Sequence, residues 1–112
     1  MDGLEKLSIV IPTFGRHDFV RRQIGYWSDS SATIHIMDGS PDPIGTKDLE
    51  NLSTNIHYHH TNDDFFARMR VAAGLINTPF VAMLGDDDLF LKSGLQESVR
   101  RLETESNLFG VV

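Results

Sequence analysis

Five short apolar runs alternate along the chain with segments whose apolar residues recur at helical spacing. The first run, residues 7–11, is almost entirely apolar and rich in β-branched residues, and it ends at Pro12. This pattern is typical of a strand that is buried on both faces. The other runs are residues 33–37, 55–60, 79–84 and 108–112. The run at 55–60 is more polar, so we expect it near an edge of the sheet.

Helices are predicted between these strands. A short one is expected at residues 46–53, and Asn62 or Asp63 is a suitable N-cap for the helix that follows. Ser93 with Gln96 resembles a capping box at the start of the last helix. The three longer helices each carry an apolar stripe, formed by Val20, Ile24 and Trp27 in residues 17–28, by Phe65, Met69, Ala72 and Ile76 in residues 63–77, and by Leu95, Val99 and Leu102 in the last helix.

This alternation predicts an α/β fold with three layers, α/β/α, around a mostly parallel sheet. Right-handed crossovers would place helices on both faces of the sheet. We expect the strand order 3-2-1-4, with the first strand central because it is apolar on both faces. Ligands of such sheets bind beyond the carboxyl ends of the strands. The loops that follow the strands are therefore the place to look for chemistry.

Polar loops at residues 12–16, 38–40 and 86–88 each follow a predicted strand, so we expect all three at one edge of the sheet. The last of them contains three consecutive carboxylates, which repel one another, and a divalent cation would offset that repulsion. Mg²⁺ and Mn²⁺ prefer hard oxygen ligands, and Mg²⁺ often completes its shell with phosphate oxygens and water. The loop thus favours a metal shared with a diphosphate. The alternative is a solvated turn whose aspartates cap the next helix.

Other polar residues are less informative one at a time. Asp38 by itself fits an ordinary turn. Arg68 and Arg70 could reach a base or a diphosphate, or could lie on a solvated helix face. His57 and His59 share one strand face, but no cysteine or carboxylate follows at a zinc-like spacing, which favours an exposed polar strand over a metal site.

Composition narrows the class of protein. The chain of 112 residues is long enough for one small domain. Its net charge of -6 disfavours non-specific binding to nucleic acid or to an anionic membrane. It has no cysteine, which excludes disulfides and thiolate metal sites. We find neither a signal peptide nor the run of about 20 apolar residues that a transmembrane helix needs, and we therefore expect a cytoplasmic protein.

Three motifs, in family order and at similar spacing, resemble family 2 glycosyltransferases. Residues 8–16, SIVIPTFGR, resemble the opening strand and turn of that family, which ends in P-T-Y/F-N-R. Residues 34–40, IHIMDGS, resemble its second strand, which ends in D-D-G-S. Residues 79–88, PFVAMLGDDD, resemble its fourth strand and D-x-D motif. The resemblance spans nearly the whole chain and implies a Rossmann-like GT-A fold, the fold of nucleotide-diphospho-sugar transferases.

The resemblance also implies a metal-dependent transfer of sugar from a nucleotide-diphosphate sugar, with a UDP-sugar favoured and with Mn²⁺ or Mg²⁺ as cofactor. Asp87 would be the main metal ligand, and Asp88 would support it or bind directly. Asp38 would accept a hydrogen bond from the base, and Asp86 would approach the ribose. The other nucleotide-sugar contacts would come from Pro12, Thr13, Phe14, Arg16 and Arg68.

The chain departs from the family pattern at several positions. Gly15 replaces the usual Asn, and Met37 replaces the first acid of D-D-G-S. Gly85 stands where many members have the first Asp, so the D-x-D motif lies somewhere within residues 85–88. Family members carry their catalytic base and acceptor site in a second half, which we expect beyond Val112. We therefore expect residues 1–112 to be one partial GT-A domain that is inactive in isolation.

Two other functions stay open. A non-catalytic domain of the same fold would bind the nucleotide without transferring sugar. A receiver-like signalling domain is also small, acidic and Mg²⁺-binding, but it needs an acidic pair after the first strand, whereas the acids here follow the fourth. A P-loop or dinucleotide-binding domain is excluded, because no glycine-rich loop follows the first strand.

Overall fold

The computed structural model of the protein describes residues 2–105. Within this range the strands form one parallel sheet, in the order β3-β2-β1-β4. The α/β class, the strand order and the central position of the first strand are thus confirmed. The predicted strand at 108–112 lies outside the described residues. The strands are β1 (Leu7–Thr13), β2 (Thr33–Asp38), β3 (Ile56–His60) and β4 (Phe80–Met83).

The helices of the described range are α1 (His17–Trp27), α2 (Thr46–Leu49), α3 (Phe65–Leu75) and α4 (Lys92–Thr104). Helix α2 is shorter than the predicted 46–53, because the backbone is already extended at Glu50. None of these helices, within residues 2–105, is long and apolar enough to cross a membrane.

The predicted start of α3 was wrong by one or two residues. Its N-cap is Asp64, whose Oδ1 accepts a hydrogen bond from the backbone N–H of Ala67 at 2.8 Å. Asp63 does not cap the helix, because its carboxylate accepts from the hydroxyl of Thr61 instead. The polar run before α3 thus offers several capping side chains, and only the contacts among them select one.

The predicted capping box of α4 was also wrong. The helix begins at Lys92, after Leu91 in extended conformation, so Ser93 already lies inside the first turn. The N-cap position is therefore occupied by a leucine that makes no side-chain cap hydrogen bond.

One face of the sheet carries most of the core. Ile9 and Ile11 of β1 lie beside Ile34 and Ile36 of β2, and all four are at most 1% exposed. Burying one isoleucine side chain stabilises the fold by roughly 1.5 to 3 kcal/mol relative to leaving it exposed. The helical residues that complete this cluster are Val20 and Trp27 of α1 and Val99 of α4.

Helix α3 covers the opposite face. Val10 and Met37 point to that side and pack against Ala72, with Met69 and Ile76 partly buried beside them. Helices therefore lie on both faces of the sheet, which gives the expected three layers. Phe65, the first residue of the predicted α3 stripe, lies outside this cluster.

Candidate functional site

The three polar loops meet at the carboxyl edge of the sheet. Thr13, the last residue of β1, lies beside Asp38, the last residue of β2. The Thr13 carbonyl accepts the backbone N–H of Gly39 at 3.0 Å, and its hydroxyl donates to Asp86 Oδ2 at 2.7 Å. The end of β1 thus connects the loop after β2 with residues 85–88, which we call the acidic loop.

Asp38 is completely buried, and both of its carboxylate oxygens are engaged. Oδ1 accepts the backbone N–H of Ser40 at 2.9 Å and also its hydroxyl. Oδ2 accepts the hydroxyl of Tyr58 and lies 3.5 Å from His17 Nε2. Burial alone would raise the pKa of Asp38, but hydrogen bonds from Ser40 and Tyr58 outweigh it and hold that pKa below its usual value. The carboxylate therefore joins β2, β3 and the loop that follows β2. Because it is buried, a ligand would contact this loop and not the Asp38 side chain.

Arg68 is 6% exposed and lies beneath the same edge, not on a solvated helix face. Its Nη1 donates to the carbonyls of Thr13 at 2.9 Å and of Met37 at 2.8 Å, which joins the ends of β1 and β2. Its Nε is buried and has no hydrogen-bond partner among residues 2–105. Gly39 leaves room for the guanidinium, since a Cβ there would lie 2.6 Å from Nε. Arg70, in contrast, is exposed.

The three aspartates of the acidic loop have different environments. Asp86 is 7% exposed, and besides the Thr13 hydroxyl its carboxylate accepts from Arg16 Nη1 at 3.2 Å. Asp87 is exposed, with its carboxylate 4.0 Å from the same Arg16 nitrogen. Asp87 Oδ1 and Asp88 Oδ2 lie 3.3 Å and 3.5 Å from the position that a Cβ on Gly85 would take. Two exposed carboxylates thus lie beside Gly85, while the third is buried and partly neutralised.

Helix α1 holds the backbone of this loop. Gln23 Nε2 donates to the carbonyls of Asp86 and Asp88, and Arg22 Nη2 donates to the carbonyl of Asp87 at 2.8 Å. Sequence analysis missed Gln23, which falls among the apolar residues of the α1 stripe. Its spacing was the available signal: Gln23 lies three positions after Val20 and four before Trp27, so it falls on the apolar face of the helix. All three residues are buried on that face.

A cleft of about 240 Å³ opens beside the acidic loop. Phe14 and Phe65 line it and are 61% and 42% exposed. Sequence analysis missed Phe65 as a site residue, because its spacing fitted the apolar stripe of α3. Besides Phe65, the cleft is lined by six residues that the sequence singled out, namely Pro12, Thr13, Phe14, Arg16, Arg68 and Asp86.

A second, larger hollow of about 520 Å³ adjoins this cleft. It is formed by residues 15–19 at the start of α1 and by residues 40–42 after β2. Arg16 lines both spaces, and its side chain is half exposed. A ligand that extends from one space into the other would therefore pass this guanidinium.

The oxygen atoms of the acidic loop that are not engaged in hydrogen bonds suit a hard divalent cation that also binds phosphate. The carbonyls of residues 86–88 accept from α1, and the Asp86 carboxylate accepts from Thr13 and Arg16. The carboxylates of Asp87 and Asp88 stay accessible. No group of three or more histidine, cysteine or acidic side chains in residues 2–105 is arranged to hold a metal alone. Mg²⁺ needs only one or two protein carboxylates when phosphate and water complete its shell, so the residues fit that mode.

His35 of β2 and His57 and His59 of β3 lie on the face covered by α3, away from the cleft. The ring of His35 stacks against those of His57 and His59, and its Nδ1 lies 3.2 Å from His59 Nε2. Burial, followed by the nearby His57 and His59, lowers the pKa of His35 to about 4. These rings therefore form a stacked cluster in which His35 is neutral near pH 7.

Comparison of the chain with protein-family models, with curated proteins and with solved structures found no match. The resemblance to family 2 glycosyltransferases therefore rests on the sequence motifs at residues 8–16, 34–40 and 79–88 alone.

Proposed function

We propose that this chain binds the nucleoside diphosphate of a nucleotide sugar, favouring UDP-sugars, at the carboxyl edge of its sheet and with Mn²⁺ or Mg²⁺. One observation carries the proposal. The cleft places two exposed aromatic rings and Arg16 beside a loop with two accessible carboxylates. A base, a diphosphate and a metal need surfaces of these three kinds.

The aromatic rings suit the nucleoside. Phe14 and Phe65 both line the cleft and expose about half of their surface. Stacking of a base on an aromatic side chain is worth about 1 to 3 kcal/mol and tolerates any base, so hydrogen bonds would have to select uracil. The polar loop at residues 40–42, in the adjoining hollow, offers such groups.

The charged residues suit the diphosphate. The guanidinium of Arg16 can pair with phosphate in bidentate fashion, and its contact with Asp86 limits its freedom before the ligand arrives. Asp87 and Asp88 would repel phosphate unless a cation lay between them. Mn²⁺ or Mg²⁺ held by these two carboxylates would supply that positive charge and act as a Lewis acid toward the diphosphate.

Sugar transfer is the reaction that this binding mode serves in family 2 glycosyltransferases. It further requires a base beside the acceptor hydroxyl, worth roughly 10² to 10⁴ in rate. In the family that the motifs resemble, that base comes from a second, acceptor-binding half. Nucleotide binding at the cleft is therefore the part of the proposed function that the described residues would perform, and it is common to the catalytic and the non-catalytic alternatives.

Calorimetric titration of UDP tests the proposal. We expect binding in the presence of Mn²⁺ or Mg²⁺ and none without a divalent cation, because the acidic loop repels the free diphosphate. Asp87→Ala should abolish this dependence on metal. Asp29→Ala is the matched control, since Asp29 is an exposed carboxylate that pairs with Lys92 and lies in the loop before β2, at the opposite edge of the sheet. Equal UDP affinity with and without metal in the unmodified protein would refute the proposed metal role.

A further inference from the structure

Two neighbouring residues of α1 bind all three aspartate carbonyls of the acidic loop. Gln23 donates to Asp86 at 3.1 Å and to Asp88, while Arg22 donates to Asp87. The loop makes one turn of its own, in which the Asp88 N–H donates to the Gly85 carbonyl at 3.1 Å. Its conformation is therefore fixed largely from α1.

The orientation of the Gln23 amide is itself determined. Gln23 is completely buried, and its Oε1 accepts the indole N–H of Trp27 at 3.0 Å. An indole nitrogen can only donate, so the amide oxygen must face Trp27 and the NH₂ group must face the loop. Both amide hydrogens then have an acceptor, one on each side of Asp87.

Few other side chains could take this place. The position requires an acceptor toward Trp27 and two donors toward the loop, at the length of a glutamine side chain. Glutamate would turn a carboxylate toward two carbonyl oxygens, and methionine would supply no donor. The hydrogen-bonding groups of Gln23 thus match the carbonyls of the loop. Core packing alone would not require them, because an apolar residue would fill the same space.

We propose that Gln23, assisted by Arg22, is a positioning residue that orients the acidic loop for metal and diphosphate. This inference rests on the proposed function. The carbonyls of residues 86–88 accept hydrogen bonds from α1, so the carboxylates of Asp87 and Asp88 supply the loop's accessible oxygen ligands for a metal ion. Residues that orient metal ligands through hydrogen bonds typically change metal affinity by 10- to 100-fold when they are replaced.

The first readout needs no ligand. In Gln23→Met the Asp88 amide should exchange its hydrogen with solvent faster than in the unmodified protein, because the turn that protects it loses its support. Ile24→Met is the matched control: Ile24 is the next residue of α1, packs against the core and makes no hydrogen bond to the loop. Unchanged Asp88 exchange in a folded Gln23→Met protein would overturn the inference.

The second readout is Mn²⁺ affinity at saturating UDP, measured by electron paramagnetic resonance. Gln23→Met should weaken it by about 10- to 100-fold, while weak binding of uridine, which carries no phosphate, should be unaffected. A parallel loss of Mn²⁺ and uridine binding would indicate general damage and would count against a positioning role. If the unmodified protein bound no Mn²⁺ with UDP, the proposed function would fail, and amide exchange alone would decide the role of Gln23.

Arg22→Met keeps the inference testable should Gln23→Met not fold. The Arg22 side chain lies at the surface, so its replacement should leave the fold intact. It should speed hydrogen exchange of the Asp88 amide and weaken Mn²⁺ binding by up to about fivefold. Its control is Arg21→Met, because Arg21 pairs with Asp18 and Asp48 and does not contact the loop. Identical behaviour of the two arginine variants would contradict the proposal.

Discussion

Three ionisable side chains are almost fully buried at the carboxyl edge of the sheet, and each is held by specific partners. Asp38 accepts from Ser40 and Tyr58, Arg68 donates to two strand-end carbonyls, and Asp86 accepts from Thr13 and Arg16. Burying a charged group without such partners costs several kcal/mol. These residues therefore stabilise the loops around the cleft, and the groups left for a ligand are those at the surface.

Gly39→Ala tests the contact between Gly39 and Arg68. The new Cβ would lie 2.6 Å from Arg68 Nε and 2.7 Å from Cζ, so the guanidinium would have to move away from the strand-end carbonyls. We expect a loss of about 1 to 3 kcal/mol in the free energy of unfolding, measured by urea denaturation.

Gly74→Ala is the matched control for this substitution. Gly74 lies in α3, and a Cβ there would meet nothing within 4 Å. Replacing a helical glycine with alanine at such a site should stabilise the protein by about 0.5 to 1 kcal/mol. Equal effects at the two glycines would show that Arg68 is not packed against Gly39 as described.

His35 makes the stability of the fold depend on pH. Burial lowers its folded pKa to about 4, whereas an unfolded histidine titrates near 6.5. Below pH 6.5 the unfolded state therefore binds more protons than the folded state, and stability is lost as the pH falls toward 4. In urea denaturation, His35→Gln should lose less stability than the unmodified protein between pH 6.5 and 4. Parallel pH profiles of the two proteins would contradict a buried neutral His35.

At the scale of elements, helix α1 does more than cover the sheet. Its apolar residues Val20 and Trp27 complete the core, and its polar residues Arg22 and Gln23 hold the acidic loop. One short helix thus connects core packing to the geometry of the candidate site. A change that moves α1 along the sheet would therefore also move the aspartates.

Patterns of apolar spacing predicted the strands and the strand order well, because burial on one or both faces is what those patterns encode. They could not separate Phe65 from the α3 stripe, since a ring at the end of a helix can point into the core or into a cleft with the same spacing. Likewise, they gave no reason to single out Gln23, because its role depends on contacts with a loop 63 and 65 positions further along the chain.

The start of α3 provides a test at this scale. Asp64→Ala should destabilise the protein by about 1 kcal/mol, because the Ala67 N–H would lose its acceptor. Asp63→Ala should have a much smaller effect, since Asp63 bonds only to Thr61, in a contact that is exposed to solvent. Thermal denaturation of the two variants would distinguish the caps, and a larger loss for Asp63→Ala would restore the N-cap that the sequence suggested.

At the scale of the whole molecule, the cleft is distinct from an exposed apolar surface along β4. The cleft lies at the carboxyl edge, beside the acidic loop. The apolar surface lies along β4, where Val81 and Met83 are each more than half exposed beside α3. A nucleotide that binds as proposed should therefore perturb the first region more than the second.

Nuclear magnetic resonance of the labelled protein, titrated with UDP and Mg²⁺ and then with a trace of Mn²⁺, tests the central claim most directly. We predict chemical-shift changes at residues 13–16, 65–68 and 85–88, and paramagnetic broadening that is strongest at Asp87 and Asp88. The chemical shift of Val81 on β4 should change little, and broadening should be weakest around Asp29, in the loop before β2 at the opposite edge of the sheet. Shift changes centred on β4, or broadening that spares the acidic loop, would show that the nucleotide and the metal do not bind where we propose.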